Sequence, residues 1–522
     1  MLSLKKIYKQ SIFIACITLL LYCTCIAQST TLPSDFKVKG FHLDMRIQVM
    51  TMPALKKFVT QLHTNGINTL IMEYEANYPY QKQTIIPGRY AYTREEIKSF
   101  VAYCNGLGVD VIPLQQSFGH VEYILRHYRY AALREDEDDL SQVCPSETTK
   151  DSLLFTDLFT ELAATHTSQY IHIGCDETHL LGHCAKCSKK VAEEGISKLY
   201  IGYVKMLCNI VIKLGKRPVL WADIALKYPE ALNELPKQTV LVDWNYGWDL
   251  SHFGEHAKLM QSGLEIWGAP ALRSHPDNYF ITLWQKHFNN IRDFVPVCRQ
   301  MGYKGMVMTS WSTSGEYSRV DEAEKSLLDL YAVRHVYPVT GFNILLAAYT
   351  QSIAQAAALD IESFVTKYCA EHYGLNTTQA QLFWQALKAT PYEVIYGKVV
   401  NQPKLTLSAL LDSVAWAANI FNTLQPLHNK EEFGHYRLIT AIRLQYLRFS
   451  MVEKEVNEDS FTSADVPAAV KELQALIANA AMLDKQFIAL NKNSYNPAEL
   501  EEENKLRNAK LLLLYKRLVK ER

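Results

Sequence analysis

Between Phe36 and Phe342 the chain alternates short β-branched or apolar runs with longer segments of helical period, and few folds accept a long series of such units. The runs fall at 40–45, 68–74, 109–115, 170–175, 218–222, 240–244, 264–268 and 305–311. Helical segments lie between them at 52–64, 94–107, 149–165, 198–214, 253–261 and 281–301. Eight parallel strands, each returned by a helix, close into an α/β TIM barrel. The competing doubly wound open sheet calls for a Gly-rich phosphate turn after the first strand, and Leu43-Asp44-Met45-Arg46 offers none. After Pro338 and Gly341 the pattern changes. Leu407, Leu410, Leu411, Val414 and Phe421 share one helical face, as do Ile439, Ile442, Tyr446 and Phe449. The expected organisation is a catalytic barrel over 28–344 followed by an all-α domain over 345–522.

Residues 1–27 stand outside that scheme. Lys5, Lys6 and Lys9 precede an uncharged, mostly apolar stretch that is short for a membrane span, the layout of a secretory signal with cleavage after Ala27. A lipid-anchored form through Cys23 or Cys25 and an uncleaved anchor are the alternatives. The expected location is therefore exported, periplasmic or secreted. Cleavage leaves three more acids than bases, since 54 Lys and Arg balance 54 Asp and Glu in the full chain. With 48% apolar and 21% charged residues the chain has the makeup of a folded protein, and it shows no basic stripe interleaved with aromatics, which argues against a nucleic-acid binder. Eight cysteines remain after cleavage, too few for a disulfide scaffold. Cys184 and Cys187 form a CxxC beside His179 and His183, a spacing that zinc sites use. No second ligand pair at matching spacing accompanies it, so the expectation is a local disulfide or two free thiols, with no metal and no cofactor.

In a barrel the chemistry sits at the C-terminal ends of the strands. Polar and aromatic residues recur there: Asp44 and Arg46, Glu73 and Glu75, residues 115–120 with His120, Asp176 and Glu177, Trp221 and Asp223, Asp243 to Tyr246 with Trp244, Trp267, and Trp311 to Glu316. A rim rich in carboxylates and aromatics suits the binding of sugars, although core packing competes with ligand contact for each Trp. The run Tyr170-Ile171-His172-Ile173-Gly174-Cys175-Asp176-Glu177 reads as a buried strand ending in two adjacent acids. Each negative charge raises the proton affinity of its neighbour, as a general acid near neutral pH requires. Two-carboxylate glycosidases hold their acids about 5 to 9.5 Å apart across the scissile bond, which sequence neighbours do less readily. Adjacent acids suit a division of labour in which one protonates the leaving oxygen and the other orients a nucleophile carried by the substrate. From these two residues alone, Asp176 as a helix cap and Glu177 as a first-turn acid remain an open alternative.

The segment His172-Ile173-Gly174-Cys175-Asp176-Glu177 resembles the signature of the family 20 β-N-acetylhexosaminidases. Phe41-His42-Leu43-Asp44, Glu73-Tyr74-Glu75 with Tyr78-Pro79-Tyr80, and Ile112-Pro113-Leu114-Gln115 with Ser117-Phe118-Gly119-His120 precede it in the order of the hexosaminidase D branch. Cys175 stands where many relatives have Gly, and Arg46 lies one position closer to Asp44 than the usual sugar-binding Arg. The resemblance implies a retaining, substrate-assisted reaction on a terminal N-acetylglucosamine or N-acetylgalactosamine of a glycan, with Glu177 as acid and base and Asp176 orienting the acetamido group. It further implies substrate contacts from Asp44, Arg46, Glu75, His120, Trp221, Asp223, Trp244, Tyr246, Trp267, Trp311 and Glu316. Three rivals stand beside it. One is an ordinary glycosidase pairing Glu177 with a distant acid such as Asp223, Asp243 or Glu316; another is an exported sugar-binding protein without efficient chemistry; the third is a zinc-dependent role through Cys184 and Cys187.

Overall fold

The computed structural model describes residues 36–254, 256–312, 317–319, 330–332, 336–389 and 391–520. The expected export signal and Glu316 fall outside them. Eight parallel strands form the barrel: β1 (Val38–Asp44), β2 (Thr69–Glu73), β3 (Asp110–Leu114), β4 (Tyr170–His172), β5 (Arg217–Trp221), β6 (Val240–Trp244), β7 (Glu265–Ala269) and β9 (Gly305–Ser310). Each pairs with the next, and β9 returns to β1 with Val38 opposite Gly305, which closes the cylinder. A short strand β8 (Ala271–Arg273) adds to the upper end of β9. The open-sheet alternative is thereby excluded.

The strands form where apolar residues run without alternation, because a parallel strand in a barrel is covered on both faces. Thus all five residues of β2 are buried. Inside the cylinder Ile71, Ile112, Val219, Trp221, Val240, Val242, Trp267 and Val307 fill the interior in layers. The outer helices obey the helical period instead. In Arg94–Gly106, Ile97, Phe100, Val101 and Cys104 are buried, and Thr93 and Glu96 close a reciprocal capping box at its start.

Strand β4 is the irregular member. It pairs with β3 at Leu114 opposite His172 and stops there, because Gly174 and Cys175 both take positive φ, 71° and 72°. An L-residue in this left-handed region carries roughly 1–2 kcal/mol of strain, and the fully buried Cys175 is held there by its surroundings.

Beyond residue 342 the chain is helical: Asn343–Ala354, Ile361–Tyr368, Thr377–Lys388, Leu407–Thr423, Lys430–Val456, Val466–Asn491 and Pro497–Lys520, with a two-residue hairpin at Val394–Ile395 and Lys398–Val399. The first of these helices lies against the barrel, where the Tyr349 hydroxyl donates to the carbonyls of Gly40 (3.0 Å) and Met306 (2.8 Å). The last braces the loop after β1: Glu499 Oε1 accepts from the Val49 amide at 2.7 Å, and Glu503 Oε2 accepts from Gln48 Nε2 at 3.5 Å. One apolar core runs from Phe36 and Phe41 through Phe342 and Tyr349 to Phe487 and Leu500, so Phe36–Arg522 is a single compact unit. Among the described residues no single helix is long and apolar enough to cross a membrane.

Candidate active site

A cleft of about 240 Å³ opens at the C-terminal mouth of the barrel, lined by Arg46, His120, Asp176, Glu177, Trp244, Tyr246, Trp248, Ser274, His275 and Trp311. The positive φ pair after β4 turns the chain across this mouth and sets Asp176 and Glu177 over it; Glu177 itself has φ 48°. The loop after β3 packs against that turn. A Cβ on Gly119 would lie 2.4 Å from the Asp176 carbonyl oxygen, so only glycine permits the approach. The next residue, His120, brings Nε2 to 3.5 Å from Asp176 Oδ2 and 3.3 Å from Glu177 Oε2.

That placement revises the expectation drawn from the adjacent acids. Hydrogen bonding to His120 holds Glu177 below the usual carboxylate range, at about 2, against the opposing effect of burial. Burial works against the imidazolium of His120, but the charges of Asp176 and Glu177 outweigh it and raise its pKa well above the ordinary value. The carboxyl whose proton affinity does rise is Asp223, through burial first and then the charge of Asp176. A cation delivered between the two acids by a distant loop dominates their mutual repulsion, and the local sequence carries no sign of it.

Asp223 sits behind the cleft as a brace. Its Oδ2 accepts from the Glu177 amide at 3.1 Å and its Oδ1 from Trp244 Nε1 at 3.3 Å. Asp44 and Glu75 are likewise buried and act through Arg46, whose Nε reaches Asp44 Oδ2 at 2.9 Å and Glu75 Oε1 at 3.0 Å. Glu73 joins them, bound to His42 at 2.8 Å and to Gln116 at 3.1 Å. Held this way, Arg46 faces the cleft with a buried Nη1 that has no hydrogen-bond partner among the described residues. Asp176 Oδ1 is in the same condition.

The aromatic wall is built by β6 and β9. Trp244 and Tyr246 lie with ring centroids 4.9 Å apart, and Trp248 packs 5.4 Å from Tyr246. Trp311 donates from Nε1 to the Tyr246 hydroxyl at 2.6 Å, and the Thr309 hydroxyl is a second hydrogen-bond partner of that group. Trp221 forms the floor beneath, 5.4 Å from Trp311 and fully buried. Trp267 lies elsewhere. Its register opposite Val242 and Gly305 places it in the lower layer of the barrel, where Nε1 donates to Glu265 at 2.9 Å and the ring meets Tyr170. Counting strand ends without knowing their relative height hid this difference. Trp248 escaped the sequence reading because it lies four residues past β6, and Ser274 and His275 because they follow the short extra strand β8, which the count of eight strands did not include.

The glycosyl hydrolase family 20 catalytic-domain model matches residues 36–325. Hexosaminidase D of Homo sapiens is 26% identical over 301 residues, which are 55% of this chain and 62% of the human protein, so the chain spans less than two thirds of that relative's length. A β-hexosaminidase of Vibrio furnissii is 32% identical over 171 residues, 29% of this chain and 26% of that protein. Among solved structures, a β-N-acetylhexosaminidase from Bacteroides fragilis NCTC 9343 superposes with a TM-score of 0.47 at 15% identity, covering 67% of this chain and 71% of the other.

Proposed function

The chain belongs to glycosyl hydrolase family 20, and from that membership we propose that it is a retaining exo-β-N-acetylhexosaminidase, releasing terminal N-acetylglucosamine or N-acetylgalactosamine from glycans by substrate-assisted catalysis. The observation that carries this reading is the pairing of Glu177 with an unpartnered, buried Asp176 Oδ1 inside an aromatic cleft. A buried carboxylate oxygen without a donor is costly, and the acetamido N–H of the substrate supplies the missing partner.

In this mechanism the acetamido carbonyl oxygen attacks the anomeric carbon while Glu177 gives a proton to the departing glycosidic oxygen. Asp176 takes the N–H and offsets the charge of the oxazolinium ion; Tyr246, its hydroxyl oxygen already engaged by Trp311, donates to the acetamido oxygen. Water then opens the ring with Glu177 as base, and configuration is retained. The attacking group arrives already attached, which is worth an effective molarity of about 10⁵ M or more and removes the need for a nucleophile from the enzyme. Because Glu177 rests as the partner of a protonated His120, the pair together stores the proton that leaves with the aglycone. Arg46 Nη1 is positioned to donate to a sugar hydroxyl.

The rival with an ordinary acid pair finds less support. Asp223 lies under the Glu177 amide, and Asp243 is held by Tyr303 at 2.6 Å and His256 at 2.7 Å; the third candidate, Glu316, falls outside the described residues. Turnover of aryl β-N-acetylglucosaminide, β-N-acetylgalactosaminide and β-glucoside by wild type and Glu177→Gln tests the proposal. Activity confined to the acetamido sugars and lost in the variant is expected; a wild type that cleaves the glucoside equally well removes the substrate from its role as nucleophile. We propose separately, on the basic and then apolar start of the chain, that the enzyme is exported, and a mature protein beginning at Gln28 is expected.

A further inference from the structure

About forty residues separate Cys144 from the CxxC, yet the fold brings them together behind the site. Cys144 Sγ lies 3.5 Å from both Cys184 Sγ and Cys187 Sγ, and Glu135 Oε2 lies 3.2 Å from Cys187 Sγ. The four donor atoms all fall within 4.8 Å of one another, and only Cys184 is not fully buried. We propose that Cys144, Cys184, Cys187 and Glu135 form a structural site for one thiolate-binding divalent cation, zinc in first place. His179 and His183, the neighbours that the sequence suggested, are not part of it; His183 pairs instead with Asp136 at 3.0 Å.

The geometry favours an ion over a disulfide. A disulfide needs sulfurs about 2.05 Å apart, and it joins two of three cysteines, leaving the third apart. Here one sulfur is equidistant from the other two. Tetrahedral zinc with bonds of about 2.3 Å to sulfur and about 2.0 Å to oxygen sets its ligands roughly 3.5 to 3.8 Å from one another, close to the spacings present. Three sulfurs and one carboxylate oxygen also match the softness that selects zinc over magnesium or calcium.

The surroundings are those of a formed site. Glu135 is fixed by one oxygen, Oε1 accepting from the Cys184 amide at 2.8 Å, so the other is left for the cluster. The Cys187 amide donates to Cys184 Sγ at 3.4 Å at the start of the helix Ala185–Glu194, and Ser146 Oγ lies 3.1 Å from Cys187 Sγ. Helix N-termini and N–H donors stabilise thiolates. Leu181, Val191 and Leu199 pack against the cysteines.

The position gives the ion a task. Glu135 and Cys144 lie on the loop that carries His120, and Cys184 and Cys187 follow the turn that carries Asp176 and Glu177. Binding displaces three thiol protons and joins the two loops whose relative placement sets the 3.3 Å contact between His120 and Glu177. Cys144, Cys184, Cys187 and Glu135 are positioning residues in this account and touch no substrate.

The test is elemental analysis of the full-length wild type, purified under reducing conditions from zinc-supplemented cells and passed through a chelating resin. One zinc per chain is expected, released by a mercurial that titrates the thiols. Exchange with cobalt is expected to give the charge-transfer and d–d bands of a tetrahedral thiolate complex. Cys187→Ser and the isosteric Glu135→Gln are expected to lower zinc content at least about tenfold, with circular dichroism reporting whether each folds. Wild-type protein that is metal-free, with three thiols open to a disulfide reagent or with a mass two daltons low from a disulfide, overturns the proposal. Zinc content is independent of the glycan reading, so either can fail without the other.

Discussion

The His120 imidazole decides how the two acids of this site work, because it reaches both. Replacing the proposed proton donor, Glu177→Gln, is expected to lower turnover about 10²- to 10⁴-fold with an unchanged circular dichroism spectrum. Asp176→Asn removes the charge proposed to accept the acetamido N–H; its loss should be large on N-acetylhexosaminides, and equal damage on any residual glucosidase activity contradicts the assigned role. The pH profile isolates His120. In wild type the shared proton departs only as pH rises through the elevated pKa of His120. In His120→Gln the proton rests on Glu177 alone, whose pKa climbs from about 2 once its partner is gone but stays below that of the imidazolium. The basic limb of kcat is thus expected to move to lower pH by about a unit or more, and a limb that stays in place removes His120 from the proton store.

Among the elements, the strands were legible and the turns were not. Continuous burial on both faces writes itself into β2, β6 and β9 as apolar stretches without regular polar alternation, and their observed limits differ from the expected ones by a residue or so. At β4 the apolar run continues to Cys175 while the strand stops at His172, since backbone conformation rather than hydrophobicity ends it. That irregular end and the glycine facing it form one unit. Gly119→Ala should destabilise the protein by about 1–3 kcal/mol, because its Cβ meets backbone that cannot rotate away, and should lower kcat more than it raises KM by moving Asp176. A fully active Gly119→Ala enzyme would mean that the two loops are not mutually set.

At the scale of the molecule, the C-terminal helices are a brace for the barrel mouth. Gln48 and Val49, on the loop that also carries Arg46, are held from behind by the helix Pro497–Lys520, through two buried acids. Burial lifts Glu499 and Glu503 to about 8. The unfolded chain releases these protons near pH 4.3, so the folded state binds more protons between that value and 8, and stability falls as pH rises through the window. Glu499→Gln keeps an acceptor for the Val49 amide without the charge. Its urea midpoint is expected to match wild type near pH 5 and to exceed it at pH 9; a variant weaker than wild type at both values contradicts the protonated state.

What the sequence determined is what is local or periodic. Apolar runs and helical faces named the barrel and the helical segment after it, and a strand running into Asp176 and Glu177 named the acids. Tertiary structure decided the rest, because it depends on distances between residues far apart in the chain: the imidazolium that reverses the expected protonation of Glu177, the height of Trp267 in the lower layer against Trp244 at the mouth, and the third cysteine and the glutamate brought up to the CxxC. Charge and coordination act through space with no memory of spacing along the chain, so only the closed barrel, which folds its loops onto one rim, brings those partners within reach.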